Sequence, residues 1–239
     1  MPTLPQYSVV VPAAGIGKRM KTDCPKQYLR IAGKTIIEHT LTHLLEHNQI
    51  KRVIVVLNPK DMLFASLPIA THPRVEVVEG GQERCDSVLA GLNYLPSDEE
   101  WVLVHDAARP CLSQTDLTTL LQLATQSCTG GILATPVRDT MKRSINLKVN
   151  GQNLIKNTES RDNLWHALTP QFFKLTSLKK ALNQAHKQNL SITDEASAIE
   201  LLGEEVVLVE GCASNIKITQ PEDLLLAEFY LTQRQANDL

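Results

Sequence analysis

The chain has 239 residues, a net charge of −2, and 43% apolar and 21% charged residues. That composition is ordinary for a soluble globular protein, and the charge excludes a broad basic surface for non-specific nucleic-acid binding. A chain of this length buries about 70–75% of its unfolded surface and needs no disulfides to hold a core.

The five cysteines (Cys24, Cys85, Cys111, Cys128 and Cys212) form an odd set without a CxxC pair. This argues against a disulfide framework or a thiolate zinc site and suits a reducing, cytoplasmic compartment. Met-Pro-Thr-Leu-Pro-Gln at the N-terminus lacks the basic patch and apolar run of a secretory signal. No apolar run approaches the roughly 20 residues that span a bilayer, so no membrane partner is expected.

In chain order, the first predicted strand is Ser8–Val11, a β-branched run of the buried type. It feeds directly into Pro12-Ala13-Ala14-Gly15-Ile16-Gly17-Lys18-Arg19-Met20. In a parallel α/β sheet this is the carboxyl end of a strand, where ligands bind. Small residues let the backbone approach a ligand and turn its N–H groups toward phosphate oxygens, while Lys18, Arg19 and Lys26 add cations. A dinucleotide fingerprint fails because position 20 is Met and the second strand ends Leu57-Asn58-Pro59 without an acid. A Walker A loop fails on Pro12 and Arg19. The remaining readings are a phosphate cradle of another kind or a plain tight turn.

A helix is predicted over Ile36–Glu46, a strand over Arg52–Leu57, a strand over Val75–Val78 and a helix over Ser87–Leu95. His39, His43 and His47 recur on the first helix, on or beside its polar side, but no zinc motif completes them. The strand Trp101–Val104 runs into His105-Asp106-Ala107-Ala108-Arg109-Pro110. Asp106 then stands at the same sheet edge as the glycine loop. It is either a Mg²⁺ ligand beside phosphate oxygens or an ion-pair partner of Arg109 that caps the next segment. Leu117–Ala124 carries the i, i+3, i+4, i+7 apolar stripe of a helix.

The rhythm changes after Pro136. Residues 137–158 alternate polar and apolar around Asn150-Gly151, a strong hairpin signal. With too little apolar content for a domain, this piece is expected to project as a β-arm that packs on a partner subunit. Helices near Leu175–Lys187 and Asp194–Leu202, a strand at Val206–Val209 and a helix from Pro221 to about Gln233 complete the chain. Ile216-Lys217-Ile218 reads as a short strand, with Lys217 either solvated or aimed into the cleft. The expected architecture is α/β: one domain over 1–239, a mainly parallel Rossmann-like twisted sheet flanked by helices, plus the dimerising β-arm at about 137–158.

Several motifs together carry a resemblance. Pro12-Ala13-Ala14-Gly15-x-Gly17-x-Arg19-Met20, Pro25-Lys26-Gln27-Tyr28, Val104–Pro110, Val137–Lys142, Trp165–Gln171, Ile192–Ser197 and Asn215–Thr219 closely resemble the 2-C-methyl-D-erythritol 4-phosphate cytidylyltransferases. The resemblance spans nearly the whole chain. It implies transfer of the cytidylyl group of CTP to methylerythritol phosphate, with release of pyrophosphate, in isoprenoid precursor biosynthesis.

Carried over by position, it implies that Arg19, Lys26 and Lys217 meet the nucleotide phosphates as the catalytic cations. Asp106 would bind Mg²⁺ or another divalent cation. Ala13, Ala14, Gly15, Gly17, Gly81, Gln82, Ser87 and Ala107 would line the nucleotide site, and Arg109, Thr140, Arg161 and Thr193 would hold the polyol phosphate. Some of the latter would come from the other subunit of a homodimer. Ser214 stands where some relatives carry an acid, so no second metal carboxylate is named.

The chemistry itself asks for no general base, because a phosphomonoester oxygen is already nucleophilic at neutral pH. What it requires is charge stabilisation at the α-phosphate and the leaving pyrophosphate, and alignment of the reactants. A cytidylyltransferase for another polyol phosphate, such as ribitol 5-phosphate, would share the nucleotide side and differ near Thr140, Arg161 and Thr193. A non-catalytic nucleotide-binding regulator would have no need for Arg19, Lys26, Asp106 and Lys217 together.

Overall fold

The computed structural model describes residues 4–15 and 24–237. Gly17, Lys18, Arg19 and Met20, the distal half of the expected phosphate loop, lie outside the described residues.

β1 (Tyr7–Pro12) opens the chain's central sheet, and a small hairpin of β2 (Arg30–Ile31) and β3 (Lys34–Thr35) leads into α1 (Ile36–Glu46). Thr35 caps α1 in a reciprocal box with Glu38, which satisfies two amide donors that the first turn leaves unpaired. Next come β4 (Ile50–Leu57), β5 (Val75–Glu79), α2 (Arg84–Tyr94), β6 (Trp101–Val104) and α3 (Gln114–Leu121). β7 (Gly130–Pro136), the hairpin β8 (Met141–Val149) and β9 (Gln152–Glu159), and β10 (Trp165–Lys174) follow. The chain closes with α4 (Leu175–Lys187), α5 (Glu195–Glu200), β11 (Val207–Glu210) and α6 (Glu222–Asn237).

Seven of these strands form the main sheet in the order β11-β7-β10-β6-β1-β4-β5. β1 pairs in parallel with both β4 and β6, β4 with β5, and β7 with β11; β10 alone runs antiparallel, between β6 and β7. The sheet is therefore mixed but mostly parallel, as the strand–helix alternation implied.

Alternation along each strand sorts the core into two layers. Val9, Val11, Val53, Val55, Leu103 and Phe172 face α1 and α3. Val10, Ile54, Val56, Val102, Val104 and Phe173 face α2, α4 and α5. Parallel strands buried on both faces read as continuous apolar runs, which is why these runs were visible in the sequence. A third, smaller cluster joins Ile31, Ile36, Ala108 and Cys111 to Ile218, Ala227 and Leu231, and so fastens α6 and the Lys217 segment beside the carboxyl end of β6.

Four readings of the sequence need correction. β7 and β10 were not anticipated as strands. Ile216–Ile218 is not a strand: Ile218 N–H donates to Ala108 O at 2.9 Å, and the segment is otherwise irregular. α2 begins at Arg84, three residues before the expected start, with Glu83 as its cap. His39 and His47 are buried, not on a polar side. His39 Nε2 bonds Ile31 O at 2.8 Å, and His47 Nε2 bonds the Thr118 hydroxyl at 3.0 Å.

The hairpin forms where expected. Asn150 and Gly151 have φ of 52° and 79°, the left-handed pair that a tight two-residue turn requires. None of the five cysteines is in a disulfide. Among the described residues no helix is long and apolar enough to cross a membrane.

Candidate active site

A cleft of about 340 Å³ opens along the carboxyl ends of β1 and β6. Its floor is Pro12–Gly15, its walls are Gly81–Arg84 with Ser87 on one side and Lys26 with Lys217 on the other. A second compartment of about 220 Å³ adjoins it, lined by Arg109, Leu168, Thr169, Gln171, Thr193 and Asp194. Arg84, Asp106 and Lys217 line both.

Asp106 is the hub. β6 ends at Val104, and the next two residues turn the carboxylate over the sheet edge, where it is only 7% exposed. Lys217 Nζ lies 2.8 Å from Oδ2, and Arg109 Nε lies 3.5 Å from the same oxygen. Arg84 Nη2 approaches Oδ1 at 3.3 Å. Burial alone would raise this carboxyl's pKa, but Arg84, Lys217 and Arg109 together hold it well below the usual carboxylate range. The pairing with Arg109 foreseen as an alternative thus exists, as the longest of three contacts.

Arg109 is itself buried, which pushes its pKa down despite Asp106, and it donates from Nη1 to Asn215 O at 2.7 Å. Arg84 is gripped from behind by Glu195, at 2.6 and 3.0 Å. Three cations against two carboxylates leave this cluster net positive, as an anion site requires.

Behind Asp106 a chain of hydrogen bonds fixes its backbone. His105 is fully buried, and its Nε2 faces Arg109 O at 3.1 Å, so that nitrogen carries the hydrogen. Nδ1 then accepts from the Thr169 hydroxyl at 3.0 Å, whose oxygen in turn accepts from Asp106 N–H at 3.0 Å. Asn215 Nδ2 donates to Thr169 O at 2.8 Å. Burial drops the His105 pKa to about 4, which keeps the ring neutral in this arrangement.

On the opposite wall of the main cleft, Lys26 Nζ donates to Ile218 O at 2.8 Å, which ties Lys26 to the Lys217 segment. Gln27 Nε2 donates to Ala13 O at 2.8 Å and so holds the floor of the cleft. Gly81 packs against the first turn of α2: a Cβ there would sit 2.3 Å from Asp86 Cβ. Glycine at this position is thus set by the close approach of the strand-end loop to the helix.

Of the residues named from sequence, Ala13, Ala14, Gly15, Lys26, Gly81, Gln82, Ser87, Asp106, Ala107 and Lys217 line the main cleft. Arg109 and Thr193 line the adjoining compartment. Thr140 and Arg161 do not line either; they flank the hairpin at its base, where Arg161 Nη1 donates to Arg138 O. Gly17 and Arg19 lie outside the described residues. Arg84, Glu195, Thr169 and Asn215 were missed. Thr169, Glu195 and Asn215 lie inside motifs noted above but were given no role, and Arg84 left a local signal, since a cation in the first turn of a helix opposes the helix dipole.

A glycine-bearing strand end, a buried carboxylate among cations and an adjoining second compartment thus meet at the carboxyl edge of an α/β sheet, where ligands of this fold class bind. Residues 7–233 match the IspD family, 2-C-methyl-D-erythritol 4-phosphate cytidylyltransferase. The chain is 62% identical to the protein of that name from Pseudoalteromonas atlantica, over 98% of this chain and 99% of that one. It is 58% identical to the Escherichia coli O1:K1 / APEC protein of the same name, over 94% and 93%. The crystal structure of Francisella tularensis 2-C-methyl-D-erythritol 4-phosphate cytidylyltransferase superposes with a TM-score of 0.79 at 34% identity, covering 94% of this chain and 99% of that one. The chain belongs to the 2-C-methyl-D-erythritol 4-phosphate cytidylyltransferase family.

Proposed function

We propose that CTP occupies the main cleft and methylerythritol phosphate the adjoining compartment, with Asp106, Lys217 and Arg84 at the wall between them. The enzyme converts CTP and 2-C-methyl-D-erythritol 4-phosphate to 4-diphosphocytidyl-2-C-methyl-D-erythritol and pyrophosphate, a step of isoprenoid precursor biosynthesis. The single observation that supports the placement is that both compartments share these three charged residues.

The polyol phosphate oxygen attacks the α-phosphorus of CTP, a new P–O bond forms, and the bond to the β-phosphate oxygen breaks to release pyrophosphate. Lys217 and Lys26, joined by Arg19 as the family resemblance implies, stabilise charge on the α-phosphate and leaving group. Ala13, Ala14 and Gly15 give a backbone surface close to the nucleotide; Gly81, Gln82, Ser87 and Ala107 enclose the cytidine. Arg109 and Thr193 hold the polyol phosphate.

Asp106 fits a divalent cation such as Mg²⁺. It is an ionised carboxylate at the cleft wall, and Mg²⁺ takes one or two carboxylates plus phosphate oxygens and water. Among the described residues no group of three or more His, Cys, Asp or Glu forms a ready-made metal cage, so substrate oxygens would complete the shell. When bound, the ion neutralises charge on the phosphates.

The protein acts as a cytoplasmic homodimer in this reading. The hairpin leaves Leu147, Val149, Leu154 and Ile155 exposed, and it carries Thr140 and Arg161 at its base rather than in this chain's own cleft. A second subunit would receive them at its polyol-phosphate compartment.

The test is pyrophosphate release from CTP with methylerythritol phosphate, and separately with ribitol 5-phosphate, in Mg²⁺. A kcat/KM at least 100-fold higher for methylerythritol phosphate is expected. Equal values would mean that the adjoining compartment does not select this polyol.

A further inference from the structure

Among the described cations that line the main cleft, Lys26 and Lys217 have a part in the transfer chemistry, and Arg84 has none beyond its place at the wall. Its guanidinium is used along two edges. Nη1 and Nη2 meet the two oxygens of Glu195 at 2.6 and 3.0 Å. Nη2 and Nε meet Asp106 Oδ1 at 3.3 and 3.4 Å. The short bonds thus run to Glu195 and the long ones to Asp106. Arg84 is anchored by the buried acid and merely leans on the cleft carboxylate.

Glu195 is 1% exposed, and both its oxygens are spent on Arg84. A buried ion pair is weak support for stability, because desolvation offsets most of the attraction. Its backbone is also fixed. Asp194 caps α5 by accepting from Ser197 N–H, and Gln171 on β10 bonds both Asp194 Oδ2 and Ala196 N–H at 2.8 Å. The acid therefore stands on a clamped segment and holds Arg84 at a set place, while Lys217 and Arg109 take the other oxygen of Asp106.

We propose that Glu195 and Arg84 form a positioning pair: the acid fixes the guanidinium, and the guanidinium sets the orientation of the Asp106 carboxylate toward the nucleotide phosphates. This rests on the placement of CTP in the main cleft. Because the bonds to Oδ1 are long, Asp106 can turn that oxygen toward a phosphate-bound cation without displacing Arg84 from Glu195. A lysine at 84 cannot do this, since one ammonium lacks the planar fork that serves two carboxylates at once. A glutamine at 195 offers one acceptor and turns an NH₂ group toward a guanidinium N–H, which frees one edge of Arg84.

The experiment compares the parent with Arg84→Lys, Glu195→Gln and the double variant, each checked for fold by circular dichroism and thermal melting. Two quantities are read: kcat per folded molecule, and the affinity for CTP–Mn²⁺ by electron paramagnetic resonance without the polyol phosphate. Glu195→Gln is expected to lower kcat about 10- to 50-fold and weaken CTP–Mn²⁺ about tenfold, with the KM for the polyol phosphate within threefold. The double variant should lose no more than Arg84→Lys alone, because both substitutions break one linkage. Multiplying losses in the double variant, or a Glu195→Gln that melts lower yet keeps kcat and CTP–Mn²⁺ affinity within twofold, overturns the proposal. A parent that releases no pyrophosphate from CTP and methylerythritol phosphate would instead overturn the functional reading beneath it.

Discussion

Lys217 is the side chain on which the proposed charge stabilisation most directly depends. Its ammonium is 2.8 Å from Asp106 Oδ2 and lies on the wall of both compartments, so the alternative of a solvated surface lysine is excluded. Lys217→Ala is expected to cut kcat by about 10²–10³, the scale of losing one preorganised donor, with CTP binding weakened less. Lys217→Arg should restore only part of this, because a fork presents its charge differently from a point ammonium; steady-state kinetics of both variants checks it.

His105 gives a pH-dependent counterpart. Burial holds its folded pKa at about 4, below the ordinary histidine value of 6.5, so the unfolded chain binds its proton first as pH falls. The stabilising contribution is whole above pH 6.5 and is lost progressively toward pH 4, by about 3 kcal/mol at most. Urea unfolding across that window should show the decline, and His105→Gln should flatten it. At this scale the sequence disclosed Asp106, Lys26 and Lys217 because they follow strand ends or stand in recognisable motifs. Glu195 and Asn215 stand in motifs too, but their roles stayed hidden because these arise from contacts more than 45 residues apart along the chain, with Arg84 and with Thr169.

Among the elements, β10 is, with β7, one of the two main-sheet strands that the sequence concealed. Pro170 falls in its middle and demotes it as a strand, and the pairing with β7 is irregular between Ala167 and Gln171. β7 begins Gly130-Gly131, which also reads as a break. Both glycines are forced by packing: a Cβ on Gly130 would meet Phe172 O at 2.2 Å, and one on Gly131 would meet Val207 O at 2.4 Å. Tertiary contact, not local preference, makes these strands. β10 then becomes structurally central, because it places Phe172 in one core layer and Phe173 in the other. Phe172 packs against Tyr7 and Trp101 with ring centroids 5.0 and 4.8 Å apart. Phe172→Ala is expected to lower unfolding free energy by about 3–5 kcal/mol, as lost transfer energy plus a cavity. Denaturant midpoints at unchanged slope would verify this, whereas a loss under 1 kcal/mol would mean that the layer closes around the gap.

For the molecule as a whole, the hairpin and the cleft must be considered together. Thr140 and Arg161 stand at the base of the β8–β9 hairpin and line neither compartment, while the hairpin's apolar residues face outward. Sedimentation at micromolar concentration is expected to give a dimer, and Arg161→Ala to raise the KM for the polyol phosphate about tenfold or more with that for CTP little changed. A fully active monomer would contradict this arrangement. Transfer of the cytidylyl group to the phosphate in the adjoining compartment is tested most directly by ³¹P NMR of the running reaction. With CTP, methylerythritol phosphate and Mg²⁺, the diphosphate resonances of the product and the pyrophosphate resonance should rise together at equal rates as the phosphomonoester falls. Pyrophosphate rising with CMP while the phosphomonoester stays constant would show hydrolysis instead of transfer, and would contradict the assignment of the second compartment to the accepting phosphate.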